Sequence, residues 1–231
     1  MLAVIALMVL LQPTSRTDPE FVKAHESFLA RAAKGPIGVL FIGDSITAGW
    51  FWDRNKEIWD RAFGRHEPAN FGIGGDRTEN VLWRIENGEL DHVQPGAVVL
   101  LIGTNNIGDP ARDILSGVTT IANRIRQKLP QTRLLLLGIF PRGANPADDE
   151  VGAMRAKIAE VNAGLAKLDD GDRTRFLDIG PRLLSPDGTL SPDVMPDGLH
   201  INRKGYEIWA EAMQPLLDSM MKSARDSSRD R

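Results

Sequence analysis

The chain has 231 residues, of which 42% are hydrophobic and 26% are charged, and it contains no cysteine. This length is sufficient for one three-layer domain with a sizeable core and is marginal for two domains. The absence of cysteine excludes disulfides, thiolate chemistry and zinc–sulfur sites. A formal net charge of −3 gives no electrostatic reason to expect a nucleic-acid partner.

The chain begins with an apolar run, Met1–Leu11, which a polar, proline-containing stretch follows. The run is far shorter than the roughly 20 residues of a membrane-spanning helix, so no stable membrane insertion is predicted. Its length suits the apolar core of a secretory signal, although no Lys or Arg precedes it and no small-residue cleavage site follows. The alternatives are a hydrophobic helix that packs on the domain and a start codon placed inside a longer signal. We therefore set residues 1–18 apart as an N-terminal segment, and export is favoured over a cytoplasmic location.

Short apolar runs alternate with helical patterns along the rest of the chain. The runs have the pattern of strands buried on both faces: Ile37–Ile42, Pro68–Phe71, Ala97–Ile102, Arg133–Ile139 and Arg175–Ile179. The helical segments are Pro19–Ala33, Thr78–Asn87, Pro110–Leu129, Asp149–Leu168 and Lys204–Met221. The alternation predicts one α/β domain at 19–222, in which a five-stranded parallel sheet lies between two helical layers. A frayed polar tail is predicted at 223–231.

Three consecutive predicted strands end in glycine with polar neighbours, at Gly43–Ser45, Gly72–Asp76 and Gly103–Asn105. Ligands of a parallel sheet bind at the carboxyl ends of its strands, so these loops are expected to converge on the site.

Ser45 directly follows the first of these strands, in a Gly-Asp-Ser turn. Serine is a nucleophile at neutral pH only when a base takes its proton. By itself the turn favours a helix N-cap, because both Asp44 and Ser45 cap helices well. A phosphate-binding loop is another alternative, but the glycine-rich nucleotide motifs are absent. The Gly-x-Ser-x-Gly elbow of α/β-hydrolases is absent as well.

His200 follows Asp197 by three residues in a loop that contains proline and glycine. At this spacing the carboxylate can reach Nδ1 of the imidazole and leave Nε2 as a base, although the spacing alone is common. His92, next to Asp91, is the competing candidate, but it is predicted at the entry to the third strand, opposite the crevice. His25 and His66 have no supporting context.

Acyl transfer also requires hydrogen-bond donors where the oxyanion of the tetrahedral intermediate forms. The side-chain amide of Asn105 and the backbone N–H of Gly75 are suitable donors. Taken separately, Gly74-Gly75 predicts a tight turn and Asn105-Asn106 an Asx turn. Taken together, nucleophile, donors, acid and base fall in loops at one edge of the sheet, and this combination favours acyl transfer.

Three aromatic residues, Trp50, Phe51 and Trp52, follow the predicted nucleophile. They suit the wall of an acyl pocket, a platform for a sugar ring, or the core beside the next helix, and the sequence leaves these alternatives open. Trp83 lies in a predicted helix and is expected to pack in the core.

The chain resembles the SGNH, or GDSL-type, hydrolase superfamily over roughly Gly35–Met213. Four blocks are similar: Val39–Gly49 (VLFIGDSITAG), Asn70–Ile85 (NFGIGGDRTENVLWRI), Val98–Gly108 (VVLLIGTNNIG) and Met195–His200 (MPDGLH). Asn87–Leu90 (NGEL) and Phe140–Gly143 (FPRG) most resemble the branch of platelet-activating-factor acetylhydrolase Ib catalytic subunits. Two departures are Ile46, where the family's nickname has Leu, and Asn106, where many members have Asp.

The resemblance implies a flavodoxin-like α/β/α fold and a serine esterase that needs no metal or organic cofactor. It assigns the nucleophile to Ser45, the acid and base to Asp197 and His200, and the oxyanion donors to the Ser45 and Gly75 N–H groups and the Asn105 amide. It further implies a small acyl-ester substrate, acetyl above all, whose alcohol is a phospholipid, an acetylated xylan or another carbohydrate. Relatives in the acetylhydrolase branch pair with themselves, which is compatible with a homodimer. A non-catalytic phosphate-binding α/β domain and a silent interaction subunit are the alternatives.

Overall fold

Five parallel strands form one sheet in the order β2-β1-β3-β4-β5 in a computed structural model that describes residues 11–52 and 55–229. This is the flavodoxin-like strand order. The apolar run at 1–11, interpreted above as signal-like, lies outside the described residues except for Leu11. In the described part of the chain, no helix is long and apolar enough to cross a membrane.

The elements alternate along the chain as the sequence predicts. The strands are β1 (Val39–Gly43), β2 (Pro68–Gly72), β3 (Ala97–Leu101), β4 (Arg133–Leu137) and β5 (Thr174–Leu177). The helices are α1 (Pro19–Ala33), α2 (Ser45–Ala48), α3 (Asn55–Phe63), α4 (Thr78–Arg84), α5 (Ala111–Lys128), α6 (Asp149–Leu165), α7 (Gly180–Leu183) and α8 (Arg203–Arg229). The predicted fold class, a five-stranded parallel α/β sheet, is confirmed.

Three elements differ from their prediction. Helix α3 is absent from the sequence interpretation, although its apolar residues Ile58, Trp59, Ala62 and Phe63 recur at helical spacing and are buried. Helix α8 continues through Arg229, so the predicted frayed tail at 223–231 is helical as far as the structure describes it. Helix α4 ends at Arg84, and a π-turn with a left-handed Gly88 (φ 98°) follows it, close to the predicted stop signal.

Alternate strand residues enter two separate cores, because successive side chains of a strand point to opposite faces. One core combines the residues Val39, Phe41, Val99, Leu101, Leu135 and Leu137 with aromatic residues of α3 and α8. The other combines Leu40, Ile42, Val98, Leu100, Leu134 and Leu136 with apolar residues of α4, α5 and α6. The sheet is therefore covered by helices on both faces.

The strand register aligns the carboxyl ends of β1, β2 and β3. Gly43 of β1 lies beside Gly72 of β2 and beside Leu101 of β3. The residues that follow these positions leave the sheet at one edge, and they include Ser45, Gly75 and Asn105.

Residues 11–18 lie against this same edge, although the sequence analysis set them apart from the domain. The Thr14 N–H donates to the Glu79 carbonyl (3.1 Å), and the Asn80 side-chain amide donates to the Thr14 carbonyl (2.9 Å). Asp18 then caps α1 by accepting the Phe21 N–H (3.0 Å). The segment is thus tied to α4 before the first helix begins.

Candidate active site

Ser45 and His200 lie in contact although 155 residues separate them in the sequence. The Ser45 Oγ and the His200 Nε2 are 2.9 Å apart, and the His200 Nδ1 is 2.7 Å from the Asp197 Oδ2. Both distances are those of hydrogen bonds. The hydroxyl, the imidazole and the carboxylate therefore form one continuous line.

The Asp197 carboxylate is fixed by the backbone of its own loop. The Asp197 Oδ1 accepts the N–H groups of Leu199 (2.9 Å) and His200 (2.7 Å), while Oδ2 faces the ring. Partial burial raises the pKa of Asp197, but the hydrogen bonds from the His200 ring and from these N–H groups outweigh it and lower the pKa to about 2. Asp197 is consequently a carboxylate at neutral pH, although 54% of its side chain is exposed.

Ser45 is the first residue of α2, and the side chain of Asp44 accepts the Ile46 N–H (2.9 Å) as its N-cap. The N–H of a first helical residue has no acceptor within the helix. The capping role that the sequence suggested for both residues therefore falls to Asp44. The Ser45 hydroxyl contacts His200, and its N–H donates to no group within the described residues.

The predicted glycine donor lies in a tight turn next to Ser45. The Asp76 N–H donates to the Ile73 carbonyl (3.2 Å), and Gly75 has a φ of +78°, the value found at the third position of a type II turn. A Cβ on Gly74 would lie 3.9 Å from the Ser45 Cβ. Within the described residues, the Gly75 N–H donates no hydrogen bond.

Asn105 and Asn106 lie side by side but make different contacts. The Asn105 side-chain amide donates to the Asp76 carbonyl (2.8 Å), which leaves its second N–H free of any contact with described residues. The Asn106 side chain is buried; it accepts the Thr78 N–H (2.9 Å) at the start of α4 and donates to Glu79 and Asp109. Asn105 therefore contacts the glycine turn, while Asn106 supports the start of α4.

Buried charges lie beneath the glycine turn. Arg84 is fully buried; its Nε is 3.0 Å from the Asp76 Oδ2 without hydrogen-bond alignment, and its Nη1 is 2.5 Å from the Glu89 Oε2. The same guanidinium donates to the Phe71 carbonyl (3.0 Å) at the end of β2. Burial raises the pKa of Glu89 to about 7, although Arg84 lowers it. This cluster is not predicted from the sequence, because its charged residues are scattered among apolar positions and form no recognisable motif.

Asp44 is a second buried carboxyl beside the nucleophile. Burial raises its pKa to about 7, the hydrogen bond from Ile46 opposes this shift, and the nearby Asp76 adds to it. The Asp44 Oδ2 is buried and has no hydrogen-bond partner among the described residues. Asp44 is therefore a helix cap whose ionisation is costly.

The aromatic residues after Ser45 divide between core and surface. Trp50 is fully buried against Trp59, Phe63 and Trp209. Phe51 and Trp52 are 50% and 43% exposed, and the Trp52 ring centroid lies 5.8 Å from that of His200. Trp83 packs against Phe21 and His25, as predicted. Among the ring contacts that Trp50, Phe51 and Trp52 make with described residues, only that of Trp52 involves a predicted site residue.

The other histidines have structural surroundings. His66 is buried, with its Nε2 2.7 Å from the Asp218 carboxylate on α8. The buried His25 lies 3.9 Å from Glu89, and burial together with the Arg84 charge lowers its pKa. His92 is exposed in the turn before β3, at the opposite edge of the sheet from Ser45.

Comparisons with known proteins identify the family. Residues 41–208 match the model of the GDSL-like lipase/acylhydrolase family. The chain is 38% identical over 201 residues to platelet-activating factor acetylhydrolase IB subunit alpha1 of Homo sapiens, covering 87% of this chain and 84% of the relative. It is 33% identical over 218 residues to the alpha2 subunit of Gallus gallus, covering 93% and 89%.

Solved structures share the fold. A GDSL-like lipase from Bacteroides thetaiotaomicron superposes with a TM-score of 0.66 at 20% identity, covering 86% of this chain and 98% of that chain. A carbohydrate esterase family 3 protein from Talaromyces cellulolyticus gives 0.60 at 17% identity, covering 81% and 99%. The resemblance inferred from the sequence blocks is confirmed. The chain belongs to the GDSL-like lipase/acylhydrolase family and is a hydrolase that acts on esters.

Proposed function

We propose that this chain is a serine esterase that removes short acyl groups, acetyl above all, through an acyl-serine intermediate. The proposal rests mainly on the line of hydrogen-bonded side chains from Ser45 through His200 to Asp197, with distances of 2.9 and 2.7 Å. In this proposal Ser45 is the nucleophile, His200 the base, and Asp197 the group that orients the imidazole.

The reaction takes place in two steps. His200 Nε2 accepts the Ser45 proton as Oγ attacks the ester carbonyl, and the imidazolium then gives that proton to the leaving alcohol as the C–O bond breaks. Water next attacks the acyl-serine, with His200 again taking a proton and returning it to the Ser45 Oγ. The Asp197 carboxylate stabilises the imidazolium in both steps.

Three donors are assigned to the oxyanion: the N–H groups of Ser45 and Gly75 and the second N–H of the Asn105 side chain. Each of them is free of partners within the described residues; the turn that contains Gly74 and Gly75 lies next to Ser45, and the Asn105 amide contacts that turn at the Asp76 carbonyl. Donors fixed in advance at this position stabilise the transition state more than the ground state.

The preference for acetyl esters follows from the names of the relatives, which are acetylhydrolases at 33–38% identity. For the alcohol, an acetylated carbohydrate is the second element of the proposal. Trp52 presents a partly exposed ring beside His200, the residue that protonates the leaving group. An aromatic face at this point suits stacking against the apolar C–H face of a sugar ring.

Replacement of the nucleophile tests the proposal. Ser45→Ala is expected to abolish hydrolysis of p-nitrophenyl acetate, whereas Ser27→Ala, on an exposed face of α1, is expected to leave the rate unchanged. Rates over an acyl series from two to twelve carbons should fall as the acyl chain lengthens. Wild-type turnover by Ser45→Ala would contradict the assignment, and a long-chain optimum would contradict the acetyl preference.

The carbohydrate element has its own test. Trp52→Ala is expected to raise KM for acetylated xylan by roughly two- to tenfold and to leave p-nitrophenyl acetate hydrolysis nearly unchanged. Phe51→Ala is the matched control, because Phe51 is equally exposed but contacts Trp59 instead of His200. Equal effects of the two variants on xylan would remove Trp52 from the substrate site.

A further inference from the structure

Arg16, which precedes the first helix, contacts the turn that holds the predicted glycine donor. Its Nη1 donates to the Gly74 carbonyl (2.6 Å) and to the Asp76 Oδ1 (3.1 Å), and its Nε donates to the Asp18 Oδ2 (2.9 Å). A Cβ on Gly75 would lie 3.4 Å from the Arg16 Nη1. The guanidinium therefore lies against the turn, 58 residues away in sequence from the carbonyl that it binds.

The Gly74 carbonyl and the Gly75 N–H belong to one peptide unit. A trans peptide is planar, so its C=O and N–H point in opposite directions, and fixing one fixes the other. This unit is the central peptide of the turn from Ile73 to Asp76. Type I and type II turns differ mainly by rotation of that central peptide, and two glycines offer little steric resistance to such a rotation.

We propose that Arg16 is a positioning residue that holds the Gly74–Gly75 peptide in the orientation required for the Gly75 N–H to bind the oxyanion. This inference rests on the proposed function, because it assigns a role only within acyl transfer. The charged hydrogen bond at the carbonyl opposes rotation of the peptide. It also polarises the peptide, which makes the N–H at the other end a stronger donor.

The surroundings of Arg16 favour positioning over recruitment of an anionic substrate. Asp18 and Asp76 both pair with the guanidinium, at 2.9 and 3.1 Å, so its charge is balanced within the protein. Asp18 also caps α1, and Arg84 contacts Asp76 from the buried side. Arg16 is therefore anchored on two sides, and only its bond to Gly74 acts directly on the donor peptide.

The experiment compares Arg16→Ala and Arg16→Lys with Arg31→Ala in the full chain. Arg31 is a matched control, because its guanidinium also donates to two backbone carbonyls, those of Gly35 and Pro36, but away from the site. Loss of one charged hydrogen bond predicts a fall in kcat of about 10- to 100-fold for Arg16→Ala. KM should stay constant, Arg16→Lys should retain an intermediate kcat, and added guanidinium at low, non-denaturing concentration should restore part of the rate.

The melting temperature and the choice of ester separate positioning from other roles. The melting temperature of Arg16→Ala should fall modestly below that of Arg31→Ala, because the buried Asp76 loses one of its two arginine partners, but the variant should remain fully folded at the assay temperature. The fall in kcat should be the same for neutral and for anionic acetyl esters. A kcat equal to that of Arg31→Ala would overturn the inference, as would an effect confined to KM for anionic esters. A fall in kcat that follows loss of folded protein, without rescue by Arg16→Lys or guanidinium, would overturn it as well.

Failure of this inference is distinguishable from failure of the proposed function. If the wild-type protein hydrolyses p-nitrophenyl acetate and Ser45→Ala does not, the esterase proposal stands whatever the Arg16 variants do. If the wild-type protein is inactive on every ester of the series, both proposals fail together.

Discussion

The loop with Asp197 and His200 and the turn with Gly74 and Gly75 flank the same serine but are built differently. The first is held mostly by contacts within four residues, together with one bond from the Gly143 N–H to the Gly198 carbonyl (2.8 Å), and half of the Asp197 side chain is exposed. The second is held by residues from distant parts of the chain, namely Arg16, Arg84 through Asp76, and Asn105. The proposed proton-transfer side is thus a local motif, whereas the proposed oxyanion side is a product of the whole fold.

This difference has an energetic consequence. A change in the exposed loop removes a chemical group but leaves few buried partners unsatisfied, so its effect should be on kcat alone. A change beneath the glycine turn leaves buried polar or charged groups without partners, so its effect should include stability. Variants on the two sides of Ser45 separate a loss of kcat alone from a loss that includes stability.

Asp197→Asn is expected to lower kcat by up to about 10⁴-fold with little change in melting temperature, because the amide can no longer hold the imidazole in the required tautomer. Steady-state kinetics on p-nitrophenyl acetate measure the fall. Asp193→Asn, in the same exposed loop, is the control and should behave as wild type. A strong loss of stability in Asp197→Asn would contradict the local character of this side.

Asn105→Ala is expected to lower kcat by about 10² to 10³-fold, because it removes one proposed oxyanion donor. It also removes the contact with the Asp76 carbonyl, so a modest fall in melting temperature should accompany the kinetic effect. Kinetics and thermal unfolding of the same preparation distinguish the two. An unchanged kcat would exclude Asn105 from the oxyanion site.

Asn106→Asp sharpens the contrast between the two neighbouring asparagines. The new carboxylate would face those of Glu79 and Asp109, to which the Asn106 amide now donates at 3.1 Å. The free energy of unfolding should fall by about 1–3 kcal/mol, while kcat per folded molecule stays near the wild-type value. Denaturant unfolding measures the first quantity. A kinetic loss as large as that of Asn105→Ala would contradict the assignment of Asn106 to the α4 terminus.

Asp44→Asn should alter how the free energy of unfolding depends on pH, but it should leave the free energy of unfolding at low pH unchanged. The pKa of Asp44 rises from 3.8 to about 7 on folding, so between these values the unfolded state ionises first and stability falls as the pH rises. In the Asn variant this loss between about pH 4 and pH 7 should be smaller than in wild type. Unfolding at a series of pH values checks it, and an identical slope would show that Asp44 does not titrate in this range.

The same comparison explains what the sequence predicts and what it does not. The strands and the Asp197–His200 pair are visible because apolar periodicity and short spacings are local properties of a chain. Gly75 and Asn105 become informative once the parallel sheet places their loops at one edge. Helix α3 is also a local feature, because its buried apolar residues recur at helical spacing.

Arg16 and Arg84 could not be predicted in this way. The contact between Arg16 and the Gly74 carbonyl spans 58 residues, so no short sequence pattern links the arginine to the group that it binds. The burial of Trp50 and the exposure of Trp52 are equally unpredictable from the sequence. Both aromatic residues lie in one short turn, and only tertiary packing determines which of them is buried. In each case the missing information is tertiary.

Covalent labelling tests the central proposal, that Ser45 is the activated nucleophile, most directly. The protein is treated with a fluorophosphonate, digested, and the modified peptide identified by mass spectrometry. We expect a single adduct on Ser45, formed much more slowly in His200→Ala because the hydroxyl then lacks its base. An adduct on another residue, or no adduct on a protein that hydrolyses p-nitrophenyl acetate, would contradict the proposed mechanism.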